Sequence, residues 1–487
     1  MPISAFSRSI TPRKPTLTNW FRQSGLYLMI TAVIQLSQRP HFETPGKYRR
    51  AFDWRISTPH PEQHRTELNA LVGLSRSEHP EVLEDFLDLT RKRRNNRTAL
   101  SRLQLWMLQE IVTQEALIKR YKSRLKELGY DESKEERATP EVERIKREIF
   151  LFRSYANAIR SIGDGIAWRA LGYDRAVIRL MSAHATKQQI FSEGLMSELL
   201  EWSTQFDQSE GVAILNSLTN CLAIGDVTVV RSDGSAEVVE VKSSNTKSRR
   251  KIRQKHEMHE VATLLSTGEG STEDKEVQIE ILPIVPEAGL DRIASTLSEA
   301  RKRGWASEKI SNCLYIECFD FDEIESSDAI EKPLKVARQN VVGEWEQRGD
   351  LVIHRNSLDL MAFSPNCAPF SIFPFTSDTC VDLLIGRMCY VGYLNLNAVA
   401  REFQHRGWQV KETPEDLLKK GDRDALMVVQ KGAFYAHVPP AEFMRMQMEA
   451  LRAQTVISTY EAKLKQGPQE DSGFLLTLYE GEPQLWD

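Results

Sequence analysis

Gly225-Asp226-Val-Thr-Val-Val-Arg231-Ser-Asp-Gly-Ser235-Ala-Glu-Val-Val-Glu240-Val-Lys242 is two β-branched runs joined by an Asp-Gly pair, a strong short-range signal for a β-hairpin. Side chains two apart on a strand share a face. Glu240 and Lys242 therefore point one way, and Val239 and Val241 the other. The loop length decides where Asp226 falls. A two-residue Asp233-Gly234 loop sets it opposite Val241, on the wrong face. A three-residue loop, Ser232 to Gly234 with Gly234 left-handed, sets it opposite Glu240. Only that register, or an equivalent bulge, gathers two carboxylates and an ammonium at one end of the hairpin, where a divalent cation and an anionic substrate can meet. A surface hairpin with solvated charges is the plain alternative, since an isolated Glu-x-Lys is common on strands.

The flanking sequence extends the pattern. Gln188 to Phe206 carries a helical stripe of Leu195, Leu199, Trp202 and Phe206, with Glu198 on nearly the same face. A carboxylate on an apolar stripe is costly unless a cation compensates it; the alternative places Glu198 at the stripe's solvated edge. Gly194, one turn earlier, suits a close helix–sheet approach, and Glu193 falls on another side of the helix. Gly211 to Ser217 reads as a buried first strand. Beyond Lys242, the residues Lys247, Arg249, Arg250, Lys251, Arg253 and Lys255 occur without an acid. They lead into a helix striped by Met258, Val261, Ala262 and Leu265, with Gln254 one turn before Met258. Val277 to Val285 supplies a further strand.

This succession resembles the PD-(D/E)XK nuclease superfamily, in particular its Holliday-junction-resolvase-like branch. Gly225-Asp226 stands in place of the Pro-Asp, Glu240-Val241-Lys242 is the (D/E)XK, Glu198 matches the first-helix glutamate and Gln254 the helical glutamine. The resemblance covers about residues 188–285. It implies an α/β nuclease core, αβββαβ with a mixed sheet flanked by helices. It also implies phosphodiester hydrolysis with Mg²⁺ (or Mn²⁺) held by Asp226, Glu240, the Val241 carbonyl and Glu198. Lys242 is then expected to orient or activate water, and Gln254 with Arg249, Arg250, Lys251, Arg253 and Lys255 to hold backbone phosphates. DNA is the expected substrate, in repair, recombination or defence. A non-catalytic nucleic-acid-binding scaffold on a decayed nuclease fold, or a nuclease subunit active only in a complex, are the alternatives.

Composition bounds the rest. The chain of 487 residues has a net charge of −4, so attraction to nucleic acid must be local. Six cysteines without a Cys-x-x-Cys pair suit a reducing compartment. His256 and His259 are three apart, not the four of the helical zinc-protease motif. The apolar run Leu26 to Leu36 falls short of the roughly 20 residues a membrane span needs. Residues 1–42 contain no acid, which overlaps with transit-peptide composition, but Pro12 and Pro15 interrupt an amphipathic helix. A cytoplasmic protein without a membrane partner is the expectation, with a targeting peptide left open.

Four stretches are expected: 1–140 mainly helical, 141–186 connecting helices, 187–330 nuclease-like, and 331–487 an α+β region of open role. Within the first, Glu81 to Leu128 is helical, and Ile111, Ile118 and Leu125 recur at seven-residue spacing. A coiled-coil segment, a helical hairpin or a bundle arm all satisfy this, and the region is a candidate for docking a second copy or a partner subunit. Arg91-Lys92-Arg93-Arg94 and Arg97 are either a solvated helix face or a phosphate contact. A second long helix is expected from Pro140. The Gly163-Asp164-Gly165 stretch in it does not follow a strand, so close helix packing is expected of it and not a phosphate loop.

Overall fold

The computed structural model describes residues 80–92, 96–130, 139–182, 195–232, 235–241, 269–272, 275–324, 327–360, 367–412, 416, 425–466 and 474–479. Lys242, Gln254, the Arg249–Lys255 cluster, His256, His259, Glu193, Gly194, the Asp233-Gly234 turn, the Met258–Leu265 stripe and the first 79 residues lie outside them.

Helix α1 (Pro80–Lys92) is followed by two long helices, α2 (Arg97–Glu127) and α3 (Pro140–Ala170). Their starts follow from the sequence. The Asn96 side chain accepts from the Ala99 N–H, and Thr139 caps α3 by accepting from Val142, with Pro140 opening the helix. The two run antiparallel: Arg160 pairs with Glu115 at 2.7 Å, Tyr121 packs on Phe152, and Arg124 reaches Glu141. Of the three readings of the seven-residue spacing, the helical hairpin is the one found. It also crosses the expected boundary at 140/141.

The short α4 (Arg175–Ser182) and α5 (Leu195–Gln208) lead into the hairpin region. Leu195, Leu199, Trp202 and Phe206 are all buried, as their spacing predicts. The helix packs on β1 (Val212–Leu215) and β2 (Val227–Val230). With β3 (Ala236–Val239) these form an antiparallel sheet in the order β1-β2-β3.

The expected αβββαβ order is met through its first helix and three strands, and then departs. The stretch expected as the fourth core strand is β5 (Lys275–Leu282). It pairs with β4 (Glu269–Thr272) and, in parallel, with β13 (Phe474–Tyr479), in a sheet separate from β1–β3. The outer edge of β1 is closed by a side chain. Asn216 N–H bonds Asp226 O, so the alternate groups, Ala213 C=O and Leu215 N–H, face away from β2. Gln104 of α2 takes both: its Nε2 donates to Ala213 O and its Oε1 accepts from Leu215 N, each at 2.9 Å. The Trp202 indole also donates to Ala213 O at 2.9 Å. A side-chain amide from the helical hairpin thus caps the β1 edge of this sheet.

The helical region is equally close lower down. A Cβ on Gly163 would lie 2.1 Å from the Leu218 carbonyl oxygen, and one on Gly165 would lie 2.6 Å from Ser371 Oγ. Close packing is therefore the role of both glycines. Between them, the buried Asp164 accepts from the Asn220 and Cys221 N–H groups at 2.6 and 2.9 Å, and from the Asn220 side chain. Burial pushes the Asp164 carboxyl pKa up, and these bonds oppose it.

Downstream, α6 (Leu290–Arg303) precedes a four-stranded antiparallel sheet, in which β6 (Trp305–Lys309) and β7 (Leu314–Asp320) join β8 (Val352–Asn356) and β9 (Met388–Asn395) in the order β6-β7-β9-β8. This sheet crosses the expected boundary at 330/331. Strand β7 is buried on both faces. Leu314, Ile316 and Cys318 enter one core that extends from Leu83 to Tyr460, while Tyr315 and Phe319 enter a smaller one. Glu317, fully buried, is held by two bonds from Arg338 and one from the Tyr393 hydroxyl. The stretch between β7 and β8 carries a helix, Ser327–Arg338, where a polar domain end was expected. A third antiparallel sheet joins β10 (Gln409–Glu412), β11 (Met427–Lys431) and β12 (Phe434–Val438). Among the described residues no helix is long and apolar enough to cross a membrane.

Candidate active site

Strands β2 and β3 pair Val227 with Val239 and Val230 with Ala236, and Arg231 N–H closes on Ser235 O at 2.8 Å. This is the register of the three-residue loop. The pairing ends at Val227 and Val239, with Asp226 and Glu240 the next residues on the two strands, and the Glu240 charge reaches the Asp226 carboxyl. At the other end of the hairpin Arg231 pairs with Glu237 in solvent, whereas Asp226 and Glu240 are only half-exposed.

The corner before Asp226 is sharply turned. Gly225 has φ +71°, a left-handed conformation in which a side chain is strained. A Cβ there would also meet Val238 Cγ1 at 2.4 Å. The glycine is therefore not a neutral stand-in for the proline of the family motif, because proline holds φ near −65°. This turn brings the Asp226 N–H back onto Val239 O at 2.9 Å. The Asp226 Oδ2 accepts from the Val241 N–H at 2.7 Å. The acid thus clamps the backbone just beyond Glu240, and the Val241 N–H is already in use there.

Electrostatics at this corner are unfavourable without a cation. Asp226 is half-buried, and burial raises its pKa above the ordinary carboxylate value; the Val241 N–H lowers it, and the Glu240 charge raises it further. The folded chain therefore holds this proton more tightly than the unfolded chain. Stability from this group falls as pH rises from the ordinary carboxylate pKa through the raised folded one, and the loss is complete above it. Asp226→Asn keeps an acceptor for Val241 and removes the charge. At neutral pH in the absence of divalent ions it should melt above the wild type, and added Mn²⁺ should raise only the wild-type Tm. A lower Tm for the variant in calorimetry would reject this account.

An oxygen pair of this kind suits a hard cation such as Mg²⁺ or Mn²⁺. Glu198 sits half-buried on α5, but among the described residues no three His, Cys, Asp or Glu side chains form a group able to hold a metal ion. Glu198 is therefore not brought into one ligand group with Asp226 and Glu240. Arg91 is occupied elsewhere. Its guanidinium donates to the Phe373 and Phe375 carbonyls at 2.7 and 2.6 Å, and Arg97 stacks over the Phe206 ring at 4.2 Å. These contacts engage Arg91 and Arg97 within the protein; Arg93 and Arg94 of the same cluster lie outside the described residues. Gln104 and Asn216 were missed by sequence reasoning. Amide side chains in these positions carry no local spacing signal, because their partners lie on other elements.

No family model matches the chain, and no curated protein or solved structure matches it either.

Proposed function

We propose that the chain is a metal-dependent nuclease hydrolysing phosphodiester bonds, with DNA as substrate, and that the hairpin corner is its active site. The observation that supports this most is the β2–β3 register, whose last pair, Val227 and Val239, leaves Asp226 and Glu240 as the next residues at a corner where both acids are only half-exposed and the Glu240 charge acts on Asp226. Asp226, Glu240 and the Val241 carbonyl would hold Mg²⁺ or Mn²⁺, with Glu198 taking part at most through an intervening water. A cation held there supplies Lewis-acid polarisation of the scissile phosphate. Asp226 fixes the Val241 backbone and so the direction in which the chain leaves toward Lys242. Lys242 stabilises the charge that develops on the phosphoryl oxygens, and Arg249, Arg250, Lys251, Arg253, Lys255 and Gln254 hold the nucleic-acid backbone without reading sequence.

A second reading has its own support. The absence of a three-ligand group among the described residues and the separate placement of β5 favour a non-catalytic nucleic-acid-binding scaffold, or a subunit completed by a partner. Incubating the purified chain with linear, circular, single-stranded and branched DNA, and with RNA, separates the readings. Cleavage that requires Mg²⁺ or Mn²⁺ and stops with EDTA is the expected result. Binding without cleavage on every substrate would favour the scaffold, and cleavage appearing only with a partner would favour the subunit.

A further inference from the structure

Asn216 follows β1 directly and is 2% exposed. Its Nδ2 donates to the carbonyl oxygens of Ile224 and Gly225, at 2.8 and 3.2 Å. Its Oδ1 accepts from the Thr228 hydroxyl at 2.8 Å, and its backbone N–H donates to Asp226 O at 3.0 Å. Both amide protons and the carbonyl oxygen are thus spent on one short piece of chain, Ile224 to Thr228. Thr228 itself is fully buried on β2.

The need for this clasp follows from the corner. A left-handed residue at Gly225 takes the Ile224 and Gly225 carbonyls out of the strand ladder, and buried carbonyls without donors are costly. One planar amide satisfies both and is itself fixed by Thr228. The direction of the Asp226 side chain is set by the backbone torsions on either side of the Gly225–Asp226 peptide. The Asn216 side chain holds the Gly225 carbonyl while its backbone N–H holds the Asp226 carbonyl, and the side-chain bond thus fixes the peptide that aims the carboxylate relative to Glu240.

We propose that Asn216 is a positioning residue for the Asp226–Glu240 metal site: its side-chain amide locks the Ile224–Asp226 corner so that the Asp226 carboxylate stays opposite Glu240. The proposal rests on the metal-dependent reading above. Asn216 touches neither substrate nor cation; it acts through Asp226.

The test measures equilibrium Mn²⁺ binding to the full-length protein, by electron paramagnetic resonance of the free ion, beside thermal melting of each variant. Asn216→Ala should weaken Mn²⁺ binding by about 10–100-fold, the range found when groups that orient metal ligands are removed. Thr228→Val, nearly isosteric, leaves the two amide donors but frees the amide to rotate, and should weaken binding in the same direction by less. Gln104→Leu removes a buried amide from the far edge of β1, so it should lower Tm while leaving Mn²⁺ affinity at the wild-type value. Wild-type affinity in both Asn216→Ala and Thr228→Val, with binding abolished in Asp226→Ala, would overturn the positioning role while sparing the metal site. A loss in Gln104→Leu as large as in Asn216→Ala would also overturn it, by exposing a general stability effect. If Asn216→Ala does not fold, Thr228→Val decides alone. A wild type that binds Mn²⁺ no better than Asp226→Ala would remove the metal reading, and this proposal with it.

Discussion

On the proposed function, Asp226→Ala and Glu240→Ala should each lower Mg²⁺-dependent cleavage by at least about a hundredfold, because each deletes a carboxylate that would hold the cation beside the anionic phosphodiester. The two should differ in stability. Asp226→Ala relieves a buried charge but strips the Val241 N–H of its acceptor, so its Tm reflects two opposed effects. Asp226→Asn keeps that acceptor and should lose cleavage as fully as Asp226→Ala, which separates the loss of charge from the loss of shape. Lys242→Ala should fall in the same activity class. Single-turnover cleavage at saturating enzyme is the measurement, with folding followed by circular dichroism. Wild-type rates in a folded Asp226→Asn protein would end the assignment of this corner as the active site.

Gly225→Pro should be the more disruptive of two changes at the corner, even though it writes the family's usual Pro-Asp into the sequence. The residue sits at φ +71° with Val238 Cγ1 and the Val239 carbonyl oxygen 2.4 and 3.1 Å from where a Cβ would be. Alanine there meets both the contact and a left-handed penalty of about 1–2 kcal/mol. Proline cannot reach the angle at all, so the corner must rebuild and Asp226 must move. A misplacement on the order of 1 Å can cost about a hundredfold in rate, and that is the loss expected of Gly225→Pro, with a lowered Tm. A Gly225→Pro protein that melts and cuts like the wild type would show that the corner is not left-handed in solution.

The parts of this arrangement that were legible in the sequence are those set by neighbours along the chain. The hairpin itself followed from two β-branched runs joined by Asp233-Gly234; of the two loop lengths the sequence left open, the β2–β3 pairing matches the three-residue one. The burial of Leu195, Leu199, Trp202 and Phe206 followed from their spacing, and the start of α3 from Thr139 and Pro140. What escaped depends on pairs far apart in the chain. The capture of the β1 edge by Gln104 is decided by an amide 109 residues before Ala213. The placement of the 277–285 run is decided by β13, almost 200 residues later. Arg91 looked like one charge in a basic run, but its guanidinium is spent on two carbonyls more than 280 residues later. The demand that Gly225 be glycine is invisible until its backbone angle is known, since glycine and proline are both common in turns.

The pairing of β5 with β13 has a consequence for synthesis. Phe474 lies beside Val277 in this sheet, so one rail of β5 has no partner until almost the whole chain has been made. At roughly 5–20 residues per second that interval is on the order of 10–40 s, during which the rail can recruit any other extended segment. Folding on the ribosome therefore cannot finish from the front: the helical hairpin and the β1–β3 sheet can close early, while the β4–β5 sheet waits for the last strand to emerge. A stop codon before 474 removes the strand that closes this rail of β5, and a fusion partner placed after residue 479 acts next to it.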